Sequence, residues 1–163
     1  VTLWLEAMRD AGLLDRVALL IVGQVDAVSA RILDDPALAP HNVRIPFSPP
    51  SELPALYASC DFVALPSSFD GMPNVLLEAM ACGVPPIASN AGAMAEIVTD
   101  GETGFLFPAE NREAAGAATL RALALPAEEV REMGESARRA IATRFTLDRE
   151  IDALVELLTI TSG

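Results

Sequence analysis

Short apolar runs alternate with amphipathic segments along this chain, and this alternation predicts strands that alternate with helices. The first run, residues 17–22 (Val-Ala-Leu-Leu-Ile-Val), ends at Gly23 and is typical of a strand buried on both faces. Further short apolar runs predict strands at 42–45, 61–65, 84–88 and 104–107. Because helices separate these strands, the pattern favours a parallel sheet.

The predicted helices have apolar residues spaced three or four positions apart. The chain begins within one such segment, with Leu3, Trp4, Ala7 and Met8 on one side. Later segments predict a helix at 25–38 that breaks near Asp35-Pro36, and further helices at 51–59, 73–82, 111–124, 127–144 and 147–158. We therefore expect an α/β fold with one domain over residues 1–163. It would be an open, doubly wound parallel sheet with helices on both faces and a helical C-terminal segment.

Composition and charge narrow the classes of function. The 163 residues are 52% hydrophobic, which is enough for a substantial core in one domain. The formal net charge of −12 argues against a broad basic surface for nucleic acid or an anionic membrane. No run approaches the roughly 18 apolar residues of a membrane span, and no signal-peptide pattern opens the chain. We expect a soluble, cytoplasmic protein without direct membrane contact.

Cysteine and histidine usage gives no indication of a metal site or a disulfide framework. Cys60 and Cys82 lack metal-ligand spacing, and His41 is the only histidine. The pattern predicts a chain without bound metal in a reducing compartment.

The segment 70–78 (Asp-Gly-Met-Pro-Asn-Val-Leu-Leu-Glu) carries the most informative chemistry. Pro73 suits the first position of a helix, so the amides of Asn74, Val75 and Leu76 should point out of the helix start. An anion such as phosphate fits that position. The segment also follows the predicted strand 61–65, and doubly wound folds bind ligands beyond the carboxyl ends of their strands.

Two carboxylates flank this helix start, eight positions apart. Asp70 and Glu78 would repel a phosphate, so their more plausible partners are neutral hydroxyl groups. The neighbours of Glu78 are apolar, which predicts a largely buried helix in which a lone carboxylate requires a partner. Asp70 could instead be a turn former beside Gly71, and Glu78 a solvated helix residue. Phosphate together with hydroxyls suggests a nucleotide sugar.

Several segments together resemble the carboxyl-terminal half of a group 1 (family 4) glycosyltransferase of the GT-B fold. They are Leu65-Pro66-Ser67-Ser68, the segment 70–78, Ala79-Met80-Ala81-Cys82-Gly83-Val84-Pro85 and Asp100-Gly101-Glu102-Thr103-Gly104-Phe105-Leu106. The resemblance implies two Rossmann-like halves, of which this one mainly holds the nucleotide-sugar donor. The acceptor would bind the other half, a missing N-terminal domain of the same protein.

The resemblance also implies roles for single residues. Glu78 would accept a hydrogen bond from the nucleotide ribose, and Asp70 would lie beside the sugar. The amides of Gly71 and Met72 would approach sugar hydroxyls, and those of Asn74, Val75 and Leu76 the diphosphate. Phe47 and Ser48 lie in the turn expected to hold the base.

Family members retain the anomeric configuration and need no cofactor besides the nucleoside-diphosphate sugar. The resemblance implies an Arg and a Lys upstream of Val1 that stabilise the leaving diphosphate, so we expect the isolated chain to be inactive. Two alternatives stay open: a sugar-nucleotide epimerase half, and a noncatalytic nucleotide-binding or scaffolding module. The second is kept open by Asp70, because the family usually has Glu there.

The last predicted helix carries an apolar stripe. Its members are Ile151, Leu154, Val155 and Leu158. The stripe could pack on this domain, or the resemblance suggests that it leans against the missing half. An exposed stripe would favour self-association of the isolated domain.

Overall fold

The computed structural model describes residues 1–68 and 74–145. Helices are α1 Thr2–Asp10, α2 Ala27–Leu33, α3 Leu53–Ala58, α4 Asn74–Ala81, α5 Met94–Ile97, α6 Arg112–Leu123 and α7 Ala127–Arg144. Strands are β1 Leu19–Val22, β2 Asn42–Ile45, β3 Val63–Leu65, β4 Pro86–Ser89 and β5 Phe105–Phe107. All five predicted strands are present. The predicted helix at 147–158 and its apolar stripe lie outside the described residues.

The strands form two parallel sheets. In one, β1 pairs with β2, and Leu20 lies opposite Val43. In the other, β4 lies between β3 and β5, with Ile87 opposite both Ala64 and Phe105. The predicted α/β class with parallel strands and helices on both faces is confirmed. The hydrogen bonds of the described strands divide this parallel sheet into the two groups given above.

Two apolar clusters form the core. The first joins both sheets to α1, α2 and α6; its buried members include Trp4, Met8, Leu33, Phe105 and Phe107, and Leu19 and Ile21 of β1 pack against it. The second lies among α4, α5, α7 and β4; its members include Leu76, Met80, Ala88, Met94 and Ala137. The helices therefore form two separate apolar clusters with the strands: mainly α1, α2 and α6 in the first, and α4, α5 and α7 in the second.

Strand β1 is less buried than its sequence predicts. Leu19, Leu20 and Ile21 are half-buried, and Val22 is 41% exposed. In contrast, all four residues of β4 are buried. The difference follows from their neighbours, because β4 has a strand on each side, whereas β2 is the one described strand that pairs with β1. The expectation of burial on both faces was therefore wrong for this strand.

Helix α7 approaches the turn after α4 so closely that only a glycine fits. A Cβ atom at Gly134 would overlap the carbonyl oxygen of Gly83. Gly116 in α6 is different, because a Cβ there would lie 3.4 Å from the nearest atom, the carbonyl oxygen of Ala7. The same substitution therefore has opposite steric consequences in the two helices.

We expect Gly134→Ala to lower the free energy of unfolding by about 1–3 kcal/mol, because the added methyl group forces α7 away from the Gly83 turn. The matched change Gly116→Ala should be neutral or stabilise by up to about 1 kcal/mol, since alanine favours a helix over glycine. Urea unfolding of both variants measures the difference. Equal effects on stability would contradict the close contact at Gly134.

The carboxylate of Asp26 caps the start of α2. It accepts hydrogen bonds from the amides of Val28 and Ser29, each at 2.9 Å, and from the Ser29 hydroxyl at 2.6 Å. The hydrogen bond from the Ser29 hydroxyl, followed by the one from the Ser29 amide, lowers the pKa of Asp26 from 3.8 to about 2. Because the folded-state pKa is the lower one, the stabilisation is fully present above pH 3.8 and is lost as the pH falls through about 2.

Asp26→Asn keeps a capping oxygen but cannot titrate. We expect its melting temperature to fall less than that of the unmodified chain between pH 4 and pH 2. Asp26→Ala should melt about 2–4 °C lower at pH 7, because it loses the cap altogether. Thermal melts across this pH range test both statements, and parallel pH curves for the unmodified chain and Asp26→Asn would contradict the assignment.

Candidate functional site

The predicted site residues lie in segments that leave the carboxyl ends of two strands. Phe47 and Ser48 follow β2, and α4 is the first helix after β3. Asp70, Gly71 and Met72 lie outside the described residues, so their roles stay predictions. Asn74, Val75, Leu76 and Glu78 all belong to α4.

Helix α4 has one buried side and one exposed side. It buries Leu76, Ala79 and Met80, whereas Asn74 and Val75 are exposed. An α-helix supplies no acceptor for its first amide groups, and in α4 these begin at Asn74. The positive end of the helix dipole therefore lies at a turn whose first two side chains, Asn74 and Val75, are exposed.

Glu78 is exposed, which corrects the prediction that its helix surrounds it with apolar groups. The next two residues of α4, Ala79 and Met80, are buried. Glu78 follows Asn74 by four positions, so the two side chains lie on the same side of the helix. Side chains in a helix lean toward its N-terminus, so the carboxylate extends toward the first turn of α4. Exposure removes the reason for which a partner was predicted, but the carboxylate has a protein contact: the Tyr57 hydroxyl donates a hydrogen bond to Glu78 Oε2 at 3.0 Å.

Tyr57, which sequence reasoning did not single out, contacts the predicted site residue Glu78. It lies in α3 and is half-buried. Burial and, after it, the hydrogen bond to Glu78 hold the pKa of Tyr57 well above its usual range, so the phenol stays protonated and donates. The two residues are 21 positions apart, and the pattern of either helix alone gives no signal for the contact.

The turn after β2 contains a buried hydroxyl. Ser48 is only 7% exposed, and its Oγ has no hydrogen-bond partner among the described residues. Burying a hydroxyl in this way costs free energy, and most buried polar groups avoid it. Phe47 beside it is 74% exposed, so its ring offers apolar surface to a ligand. Both residues were predicted to hold a base.

Hydrogen bonds stabilise the neighbouring strand ends. The Ser89 hydroxyl donates to the carbonyl oxygen of Ser67, which connects the end of β4 to the segment after β3. The amide of Asn90 donates to the Phe107 carbonyl at 2.8 Å, and its side-chain oxygen accepts from the Ala109 amide at 3.0 Å. These contacts hold the segments after β3, β4 and β5 against one another.

Two kinds of feature are absent from residues 1–68 and 74–145. No group of three or more His, Cys, Asp or Glu side chains in these ranges is placed to hold a metal ion. In the same residues, no helix combines the length and apolarity needed to cross a membrane.

The chain matches known proteins over most of its length. The family model described as glycosyl transferases group 1 matches residues 1–140. A D-inositol 3-phosphate glycosyltransferase from Salinispora arenicola is 37% identical over 114 residues, which are 68% of this chain and 25% of that protein. The chain thus spans about a quarter of the length of this curated relative.

Solved structures agree in fold. HepE from Anabaena, in complex with UDP, has a TM-score of 0.78 at 22% identity; the match covers 96% of this chain and 44% of HepE. The C-terminal domain of the group 1 family protein LpcC from Francisella tularensis has a TM-score of 0.74 at 21% identity, covering 90% of this chain and 79% of that domain. The chain therefore belongs to the group 1 glycosyltransferases and has the fold of a GT-B carboxyl-terminal domain.

Proposed function

We propose that this chain is the donor-binding half of a retaining glycosyltransferase, which moves a sugar from a nucleoside-diphosphate sugar to an acceptor. The observation that carries the proposal is the position of Glu78. Its carboxylate lies on the exposed side of α4, one turn from the first amides of that helix. The first-turn amides, which point out of the helix start, and the Glu78 carboxylate would thus lie at the same end of α4, as binding of a nucleoside diphosphate requires.

Each part of the donor has a proposed contact. The diphosphate binds the amides of Asn74, Val75 and Leu76, and a ribose hydroxyl donates to Glu78. The base lies against the turn of Phe47 and Ser48, where the buried Ser48 hydroxyl would gain a partner. Asp70 and the amides of Gly71 and Met72 would contact the sugar, on the strength of the family resemblance.

The chemistry follows from where charge develops. When the bond between the sugar and the diphosphate breaks, the leaving diphosphate gains negative charge. The first turn of α4 can stabilise this charge by about 1–2 kcal/mol, a small share of the reduction in barrier that an enzyme needs. Further cationic groups and the acceptor would come from the other half of the protein, so the 163-residue chain alone should bind the donor without transferring its sugar.

An experiment can distinguish transfer from the two alternatives, an epimerase half and a noncatalytic nucleotide-binding module. The family match supports transfer over an epimerase half. A noncatalytic module would bind a nucleotide but consume none. Incubation of the full-length parent protein with a sugar nucleotide and candidate acceptors separates these functions, because transfer yields a glycosylated acceptor, epimerisation a changed sugar nucleotide, and a noncatalytic module neither.

The proposed site predicts that the 163-residue chain itself binds nucleotides. Titration with UDP, GDP and ADP, and with their sugars, should shift the backbone amide signals of Asn74, Val75 and Leu76 in NMR spectra. Glu78→Ala should weaken binding roughly tenfold or more, because a hydrogen bond to a charged group contributes about 1.5–3 kcal/mol.

Glu132→Gln is the control for net charge, since Glu132 is an exposed residue of α7 outside the proposed site. It should bind like the unmodified chain. The site assignment fails if no nucleotide perturbs the start of α4, or if Glu78→Ala binds as tightly as this control.

Ser48 and Ser29 form a matched pair for a second prediction. Ser29 is also buried, but its hydroxyl contacts Asp26 and Thr2 at 2.6 and 2.7 Å. Ser48→Ala should stabilise the unliganded chain by up to about 1 kcal/mol, because it removes an unpaired buried hydroxyl, whereas Ser29→Ala should destabilise it by about 1 kcal/mol.

The two serine variants should also differ in nucleotide binding. Ser48→Ala should weaken nucleotide binding about twofold to tenfold, as expected for one lost neutral hydrogen bond. Ser29→Ala should leave binding unchanged. Thermal melts and titrations with UDP measure both effects, and a Ser48→Ala chain that is destabilised yet binds normally would show that Ser48 has a structural role instead.

A further inference from the structure

The contact between α3 and α4 suggests a role for Tyr57 beyond packing. The hydroxyl of Tyr57 donates to one oxygen of Glu78, Oε2, at 3.0 Å. Within the described residues, this is the one side-chain hydrogen bond of Glu78, and it does not involve the other oxygen, Oε1. A carboxylate can accept several hydrogen bonds, so Glu78 keeps acceptor capacity for a ligand while one of its oxygens is held in place.

We infer that Tyr57 is a positioning residue that holds the Glu78 carboxylate in the orientation that accepts a hydrogen bond from a ribose hydroxyl. The inference rests on the proposed function and adds a residue to it. Tyr57 would act through Glu78 without touching the nucleotide.

The physical reason is the freedom of an exposed glutamate. An exposed Glu side chain populates many rotamers, and a ligand that requires one of them loses binding free energy to that selection. Tyr57 is half-buried and its ring has two rotatable side-chain bonds, so its hydroxyl is a comparatively rigid anchor. With one oxygen held, Glu78 reaches the binding orientation before the nucleotide arrives.

The donor in this pair does not change with pH under ordinary conditions. Burial and the adjacent Glu78 carboxylate raise the pKa of Tyr57 above its usual range. The phenol therefore remains protonated and able to donate near neutral pH. Its single proton points to Glu78, which requires no rearrangement on binding.

A purely structural role makes a different prediction. If the hydrogen bond only joins α3 to α4, its loss should affect all nucleotides alike, through the shape of the site. If it positions Glu78 for ribose, its loss should matter only when the ligand carries ribose hydroxyls. A pair of ligands that differ only in these hydroxyls separates the two roles.

The experiment compares UDP with 2′,3′-dideoxyuridine diphosphate on the 163-residue chain. Tyr57→Phe keeps the ring and removes the hydroxyl. We expect it to weaken UDP binding about threefold to tenfold and to change dideoxy-UDP binding less than about twofold. Glu78→Gln should show the same ligand dependence. The double variant should bind UDP no more weakly than Glu78→Gln alone, because Tyr57 acts through Glu78.

Ser59→Ala is the matched control. Its hydroxyl lies just after α3 and donates to the Leu56 carbonyl at 2.7 Å, so its removal should not change the ligand dependence. Melting curves report whether Tyr57→Phe remains folded. In the full-length parent, Tyr57→Phe should raise KM for the donor with kcat nearly unchanged, as expected for an interaction made equally in the bound and transition states.

The outcomes distinguish the inference from the function on which it rests. Equal losses for UDP and dideoxy-UDP would overturn the positioning role. The positioning role is also overturned if Glu78→Gln weakens UDP binding and Tyr57→Phe does not. In that case the proposed nucleotide site is still supported. If the unmodified chain binds none of UDP, GDP and ADP, the proposed function fails, and the inference fails with it.

Discussion

The packing of α1 against α6 is the constraint on which the rest of the fold depends. The two sheets share no hydrogen-bonded strand pair in the described residues, so the first apolar cluster holds them together. Trp4 and Met8 of α1 lie in this cluster, against which Leu19 of β1 also packs. The Trp4 indole donates to the Thr119 hydroxyl in α6 at 2.8 Å, which removes the cost of burying both polar groups. The turn after β2 and the helix after β3 therefore keep their relative position through helix packing.

Surface ion pairs contribute little to this interface. Arg112 of α6 contacts Glu6 and Asp10 of α1, but its own side chain is 48% exposed. Exposed pairs of this kind typically contribute between zero and about 1 kcal/mol, because water and salt screen them. In contrast, complete burial of one large apolar side chain such as Met8 contributes about 1.5–3 kcal/mol. Apolar burial therefore contributes more than these ion pairs to how α1 lies on α6.

Local periodicity predicted the elements well and their neighbours less well. The strand at 42–45 has the bounds of β2, because four consecutive extended residues bounded by turns leave little ambiguity. The four-residue helix α5 was missed, since it is too short to show a helical period. The burial of β1 was overestimated because an apolar run cannot reveal whether a second strand lies beside it. In the candidate site, likewise, single residues could be predicted but their tertiary contacts could not. The family resemblance could assign Glu78, but its contact with Tyr57 depends on how α3 lies on α4, and the burial of Ser48 depends on the path of a whole loop.

The site treats two polar groups in opposite ways, and the difference follows from their flexibility. Glu78 is a long, exposed side chain, and the hydrogen bond from Tyr57 limits the entropy that ligand binding must remove. Ser48 is short and buried, so its rotamer freedom is small, and a partner from the protein would occupy the capacity that a ligand can use. An unpaired buried hydroxyl costs stability in the unliganded chain, and proteins tolerate such costs mainly at functional sites. In the proposed site, Glu78 loses less side-chain entropy on binding because Tyr57 already holds it, and Ser48 gains a hydrogen bond that it lacks in the unliganded chain. Both effects would increase the affinity for a nucleotide. In the proposed site, the α3–α4 contact would thus act on the ribose and the turn after β2 on the base of the same nucleotide.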